Sequence, residues 1–89
     1  MTEQIPEVGR IVRYVLPEGR NKGQHRPAII VKVWDAPTSM VNLDVFMDGL
    51  NDEQQHPVQW RHSVHFDMQR TPGSWHWPGI EAPEPELAA

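Results

Sequence analysis

Apolar residues recur at every second position in four stretches of the chain, a period that predicts β-strands and not helices. Over Arg10 to Leu16, Val12, Tyr14 and Leu16 fall on one face and Ile11, Arg13 and Val15 on the other; Pro17 ends the run. His25 to Asp35 holds the strongest strand signal, because Ala28-Ile29-Ile30-Val31-Lys32-Val33-Trp34 is β-prone throughout. There Ile29, Val31 and Val33 make a fully apolar face, while Arg26, Ala28, Ile30, Lys32 and Trp34 make a mixed one. Met40 to Met47 alternates cleanly, with Val41, Leu43, Val45 and Met47 opposite Asn42, Asp44 and Phe46. Val58 to Phe66 alternates again, with Val58, Trp60, Val64 and Phe66 on one face and His62 as the exception. A bend between Trp60 and Val64 would split that run into two short strands.

The segments between these runs carry turn chemistry: Ala36-Pro37-Thr38-Ser39, Asp48-Gly49 and Arg70-Thr71-Pro72-Gly73. Glu18 to Gln24 is Gly-rich, basic and too polar to pack, so it reads as an exposed loop, and Leu50 to Pro57 reads as a polar loop. No stretch keeps a 3.6-residue apolar period over three turns. The expectation is an all-β fold: a small SH3-like barrel of four to five short strands. It occupies residues 8–79 as one domain, after a leader over 1–7 and before an extended Pro- and Glu-rich tail over 80–89. An OB-fold would want a helix and more residues.

Length and composition sharpen this. With 89 residues there is room for one small domain. Such a domain buries only ~60 % of its unfolded surface, so a partner or a second copy is expected to add stability. The absence of Cys excludes disulfides and thiolate zinc sites. No apolar run approaches the ~18 residues that span a bilayer, and Met1 to Glu7 lacks a signal peptide's basic start and apolar stretch. A soluble protein in a reducing, cytosolic setting is therefore expected, with no membrane association.

The formal charge of −4 hides an asymmetry. Between Arg10 and Lys32 the bases Arg10, Arg13, Arg20, Lys22, Arg26 and Lys32 stand against the lone acid Glu18, while the last ten residues hold Glu81, Glu84 and Glu86 and no base. Such a basic stretch on a near-neutral body can attract an anion such as a phosphate, or can be a solvated positive face. A general nucleic-acid binder would be basic overall, which makes that class of partner a poor fit.

Catalytic chemistry finds little purchase. His62 and His65 would lie on opposite faces of a strand, and His56 and His76 could meet only through the fold; no zinc-ligand spacing is present. Asp48, Asn51, Asp52 and Glu53 do not follow a calcium-loop pattern and read as a solvated hairpin loop. None of Ser39, Ser63 and Ser74 sits in a strand-to-helix elbow. A protein that is not an enzyme, with no cofactor and no metal, is expected. The unusual segment is Trp75-His76-Trp77-Pro78. Three readings stand side by side. The indoles could stack on a nucleobase, at ~1–3 kcal/mol per base, anchor a protein–protein contact, or clasp the open end of the barrel as core. Trp34 and Trp60 are expected in the core or at its edge.

Several segments together resemble a family of short phage-encoded proteins of uncharacterised activity: Gly9-Arg10-Ile11-Val12-Arg13-Tyr14, His25-Arg26-Pro27-Ala28-Ile29-Ile30-Val31, Val41-Asn42-Leu43 and Gly73-Ser74-Trp75-His76-Trp77-Pro78. Family members run from Gly-x-Ile-Val-x-Tyr to Thr-Trp-His-Trp-Pro, and Ser74 stands where Thr is common. The resemblance implies a phage origin and brings no catalytic residues. The reading expected first is a phage-encoded, homo-oligomeric sponge that sequesters an anionic nucleotide-type immune signal. Arg10, Arg13, Arg26 and Lys32 would hold phosphate, and Trp75, His76 and Trp77 would meet the base. The alternative is a virion structural module or one that binds a host protein.

Overall fold

A computed structural model describes residues 5–79. Five strands form one antiparallel sheet: β1 (Ile11–Val15), β2 (His25–Asp35), β3 (Met40–Phe46), β4 (Val58–Val64) and β5 (Trp75–His76). Their order across the sheet is β4-β3-β2-β1-β5. Among the described residues the one helical element is a 3-10 turn, Gly49–Asp52, between β3 and β4. The predicted tail over 80–89 and residues 1–4 of the leader lie outside the described residues.

The core lies on one face. Val12 from β1, Ala28 and Ile30 from β2, and Val41, Leu43 and Val45 from β3 are fully enclosed. Each large aliphatic there contributes ~1.5–3 kcal/mol by leaving water. The alternation predicted for Met40 to Met47 sets this face correctly.

Bulges decide the rest. β2 pairs with β3 through Ile30↔Leu43 and then Lys32↔Asn42, so Val31 is an extra residue; a second slip leaves Trp34 unpaired before Asp35↔Met40. An extra residue inverts the in–out alternation beyond it. Ile30 therefore faces in, Val31 is exposed and Val33 returns to pack on the core. The apolar set Ile29, Val31 and Val33 is not one face, and Ala28 and Ile30 supply the core from the set that looked mixed.

In β4 the register runs Leu43↔Arg61 and then Val41↔Val64, which puts His62 and Ser63 opposite one β3 residue. Ser63 takes a left-handed backbone conformation (φ 53°) at this bulge. Val64 is thereby core, while Val58 and Trp60, assigned to the same face from sequence, point outward and are exposed. The strand bulges there without splitting.

The chain end beyond β4 returns to β1. β5 pairs with β1 through Arg13↔His76 and Tyr14↔Trp75. Gly73, at φ 90°, donates its N–H to the Val15 carbonyl at 2.8 Å and opens this segment. A single parallel bridge joins Phe66 to Trp75. The sheet is not closed, so the fold is all-β with five strands, and the barrel expected from sequence is not completed by a ladder between its edges.

Candidate functional site

The residues assigned to a ligand divide between the core and the surface. Trp75 is 0 % exposed and Trp77 8 % exposed, and both belong to the core. The Trp75 indole N–H donates to the Ser39 carbonyl at 2.9 Å, and its ring packs edge-on against Phe66 and Trp77. His76 is also buried, edge-on to His25 with ring centroids 4.7 Å apart. The indole pair faces inward because β5 lies at the sheet margin, where a small domain needs bulk to cover its core. This is the clasp reading, and it withdraws all three side chains from base stacking.

The cations are dispersed. Arg10 lies over the Trp77 ring at 4.9 Å and beside Glu7 at 3.9 Å. Arg13 is half-buried in the middle of β1, across from Pro27 and His76. Arg26 is committed to structure: its Nε donates to Asp52 Oδ2 at 2.7 Å and its Nη2 to Oδ1. Lys32 sits over the Trp34 ring, 4.5 Å from its centroid.

Asp52 corrects the picture of a solvated acidic loop. It is buried, and besides Arg26 it accepts from Asn21 Nδ2 at 2.7 Å and from the Asp48 backbone N–H at 2.6 Å. The β1–β2 loop is thus pinned to the 3-10 turn. The Arg26 hydrogen bonds hold the Asp52 carboxyl well below the usual carboxylate range, with smaller help from the Asp48 N–H and Asn21, against the opposing effect of burial.

Trp34 and Trp60, expected in the core or at its edge, are exposed by 54 % and 60 %. They stand on the outer face of the sheet. Register puts Ile11, Ile29, Asp44 and Trp60 in one row across β1 to β4, with Phe46 opposite Val58 beside it. Ile11, Phe46 and Val58 are exposed as well. An apolar face with two half-open indoles is the composition of an interaction surface.

This face is held in shape by a residue that drew no attention in the sequence. Asn42, buried on β3, accepts from the Trp34 indole N–H at 2.8 Å and from the Ser63 backbone N–H at 2.9 Å. One amide oxygen thereby fixes the exposed indole and the β4 bulge together. The only sequence signal was an uncharged polar residue on the face of β3 opposite Val41, Leu43 and Val45. Asn42→Ala should cost ~1–3 kcal/mol through the orphaned Ser63 N–H, and it should release Trp34. Urea unfolding and the amide exchange rate of Ser63 check this; unchanged exchange would contradict it.

A second feature is a cleft of about 310 Å³ between the β1–β2 loop and the 3-10 turn. Leu16, Pro17 and Met47 line its apolar side, and Arg20, Asn21, Gln54 and Arg61 its polar side. Among the described residues no group of three or more His, Asp or Glu side chains gathers as a metal site, and no helix is long and apolar enough to cross a membrane. The chain matches no family model, no curated protein and no solved structure.

Proposed function

We propose that this chain is a non-catalytic binding module that docks against another protein through the outer face of β1 to β4. The observation that carries the reading is the pair Trp34 and Trp60, exposed on a sheet face among Ile11, Ile29, Phe46 and Val58. Aliphatic side chains beside indoles suit a protein surface better than a base stack, since partners seat apolar anchors between rigid aromatics. Asp44 lies within the row, flanked by Ile29 and Trp60. Two copies packed face to face about a two-fold near this row would bring like acids together. A partner offering a cation ringed by apolar groups satisfies it. In the phage setting that the sequence resemblance implies, that partner is a virion or host protein.

A photo-crosslinker at Val58, in cells making the protein, should trap one partner species. Trp60→Ala and Asp44→Lys should abolish the adduct and leave the unfolding midpoint in place. An adduct of the chain with itself, or an adduct indifferent to both substitutions, overturns the reading.

A second reading, capture of an anionic nucleotide, is favoured by the Lys32 ammonium resting on the exposed Trp34 ring. It moves the base from Trp75 and Trp77 to Trp34. Native mass spectrometry of the protein from infected cells would reveal a retained nucleotide, and Trp34→Ala would release it.

A further inference from the structure

Arg61 stands on the core-facing side of β4, paired in register with the fully buried Leu43. A guanidinium on that side normally meets a carboxylate, because a charge taken from water needs compensation. Among the described residues the Arg61 side chain shows no carboxylate or carbonyl partner, and its Nε–H is enclosed without an acceptor. Its contact is the face of Tyr14, 6.0 Å from the ring centroid. Of the other charged groups on the lining, Arg20 Nη2 donates to the Leu50 and Asn51 carbonyls and Asp52 is taken by Arg26 and Asn21, while Glu18 and Glu53 are exposed to solvent. Arg61 is therefore the lining cation whose hydrogen bonds remain to be made.

We propose that this cleft binds a small monocarboxylate, with its carboxylate on Arg61 and its apolar body against Leu16, Pro17 and Met47. The planar guanidinium matches a carboxylate through paired N–H donors. The volume of about 310 Å³ sits at the small end of the ~300–1,000 Å³ range of ligand sites, which selects a compact ligand. Glu18 and Glu53, exposed on the same lining, repel a phosphate dianion more strongly than a monoanion. The site is independent of the docking face, because Trp60 and Arg61 project to opposite sides of β4.

The test follows the Arg61 Nε–Hε resonance in proton–nitrogen spectra, titrating isovalerate, its neutral amide isovaleramide, and inorganic phosphate. Isovalerate should shift the resonance saturably. Isovaleramide should bind at least about tenfold more weakly, as the charge-assisted bonds are lost, and phosphate should produce no saturable shift. Arg61→Met should remove the response read at the Asn21 side-chain amide, while Trp60→Ala retains it. No saturable shift with isovalerate, equal binding of the amide, or equal binding of phosphate would each overturn the proposal. The acid–amide comparison on the unaltered chain decides it even where the Arg61 variant fails to fold.

Discussion

Trp75→Ala is expected to unfold much of the population in plain buffer. The side chain is fully enclosed, and truncating a buried Trp costs ~3–5 kcal/mol through lost transfer energy and the cavity left behind. The Ser39 carbonyl would lose its indole donor, and the edge-on contacts with Phe66 and Trp77 would go. The total stability of a small domain lies near the lower end of ~5–15 kcal/mol, so one such loss consumes most of it. Trp60→Ala on the outer face should change stability by no more than about 0.5 kcal/mol. Urea unfolding followed by circular dichroism measures both. Similar losses for the two substitutions would contradict the division of the indoles into core and surface pairs.

Asp52→Ala has the next largest effect. The wild-type carboxylate is enclosed with Arg26 beside it and receives four donors: two from Arg26, one from Asn21 and the Asp48 backbone N–H. Removing one member of a buried ion pair costs ~3–5 kcal/mol, because the remaining charge stays desolvated. The loss should show first as detachment of the β1–β2 loop, with faster amide exchange at Asp48 and Gln24. The same group sets an acid limb in the unaltered protein. Its folded-state affinity for a proton is lowered relative to the unfolded chain, so in acid the unfolded state binds more protons. Its stabilisation is therefore complete above the unfolded carboxyl value of ~3.9 and is lost as the pH falls through and below it. Asp52→Asn should flatten that limb. A limb of equal slope in Asp52→Asn would assign the acid sensitivity to other carboxylates.

How much of this was legible in the sequence depends on where the alternation was uninterrupted. Met40 to Met47 gave the correct core face, because β3 has no extra residue of its own and is covered on both sides by neighbours. β2 and β4 misled, since each carries a bulge, and a bulge is a relation between two strands that one strand's pattern does not contain. Val31 looked interior and is outside; Trp60 looked interior and is outside. Of the Trp75-His76-Trp77 readings, the fold shows the buried one, with both indoles in the core. The basic stretch from Arg10 to Lys32 was visible, but its pairing was not. Arg26 finds Asp52 across 26 residues, and nothing local in either segment announces that contact. Arg61, placed in a run read for its Trp and Val residues, became conspicuous only when the register set it beside Leu43.

On the proposed docking, the outer-face indoles meet the partner while the C-terminal indoles hold the core. Fluorine NMR of the protein labelled with 5-fluorotryptophan, assigned by single Trp→Phe variants, tests this most directly. Spectra are compared in buffer and in extract from phage-infected cells. The Trp34 and Trp60 signals should respond to deuterated solvent in buffer and shift or broaden in extract, while Trp75 and Trp77 stay unchanged in both. A response confined to Trp75 and Trp77 in extract, with Trp34 and Trp60 unmoved, would contradict the account.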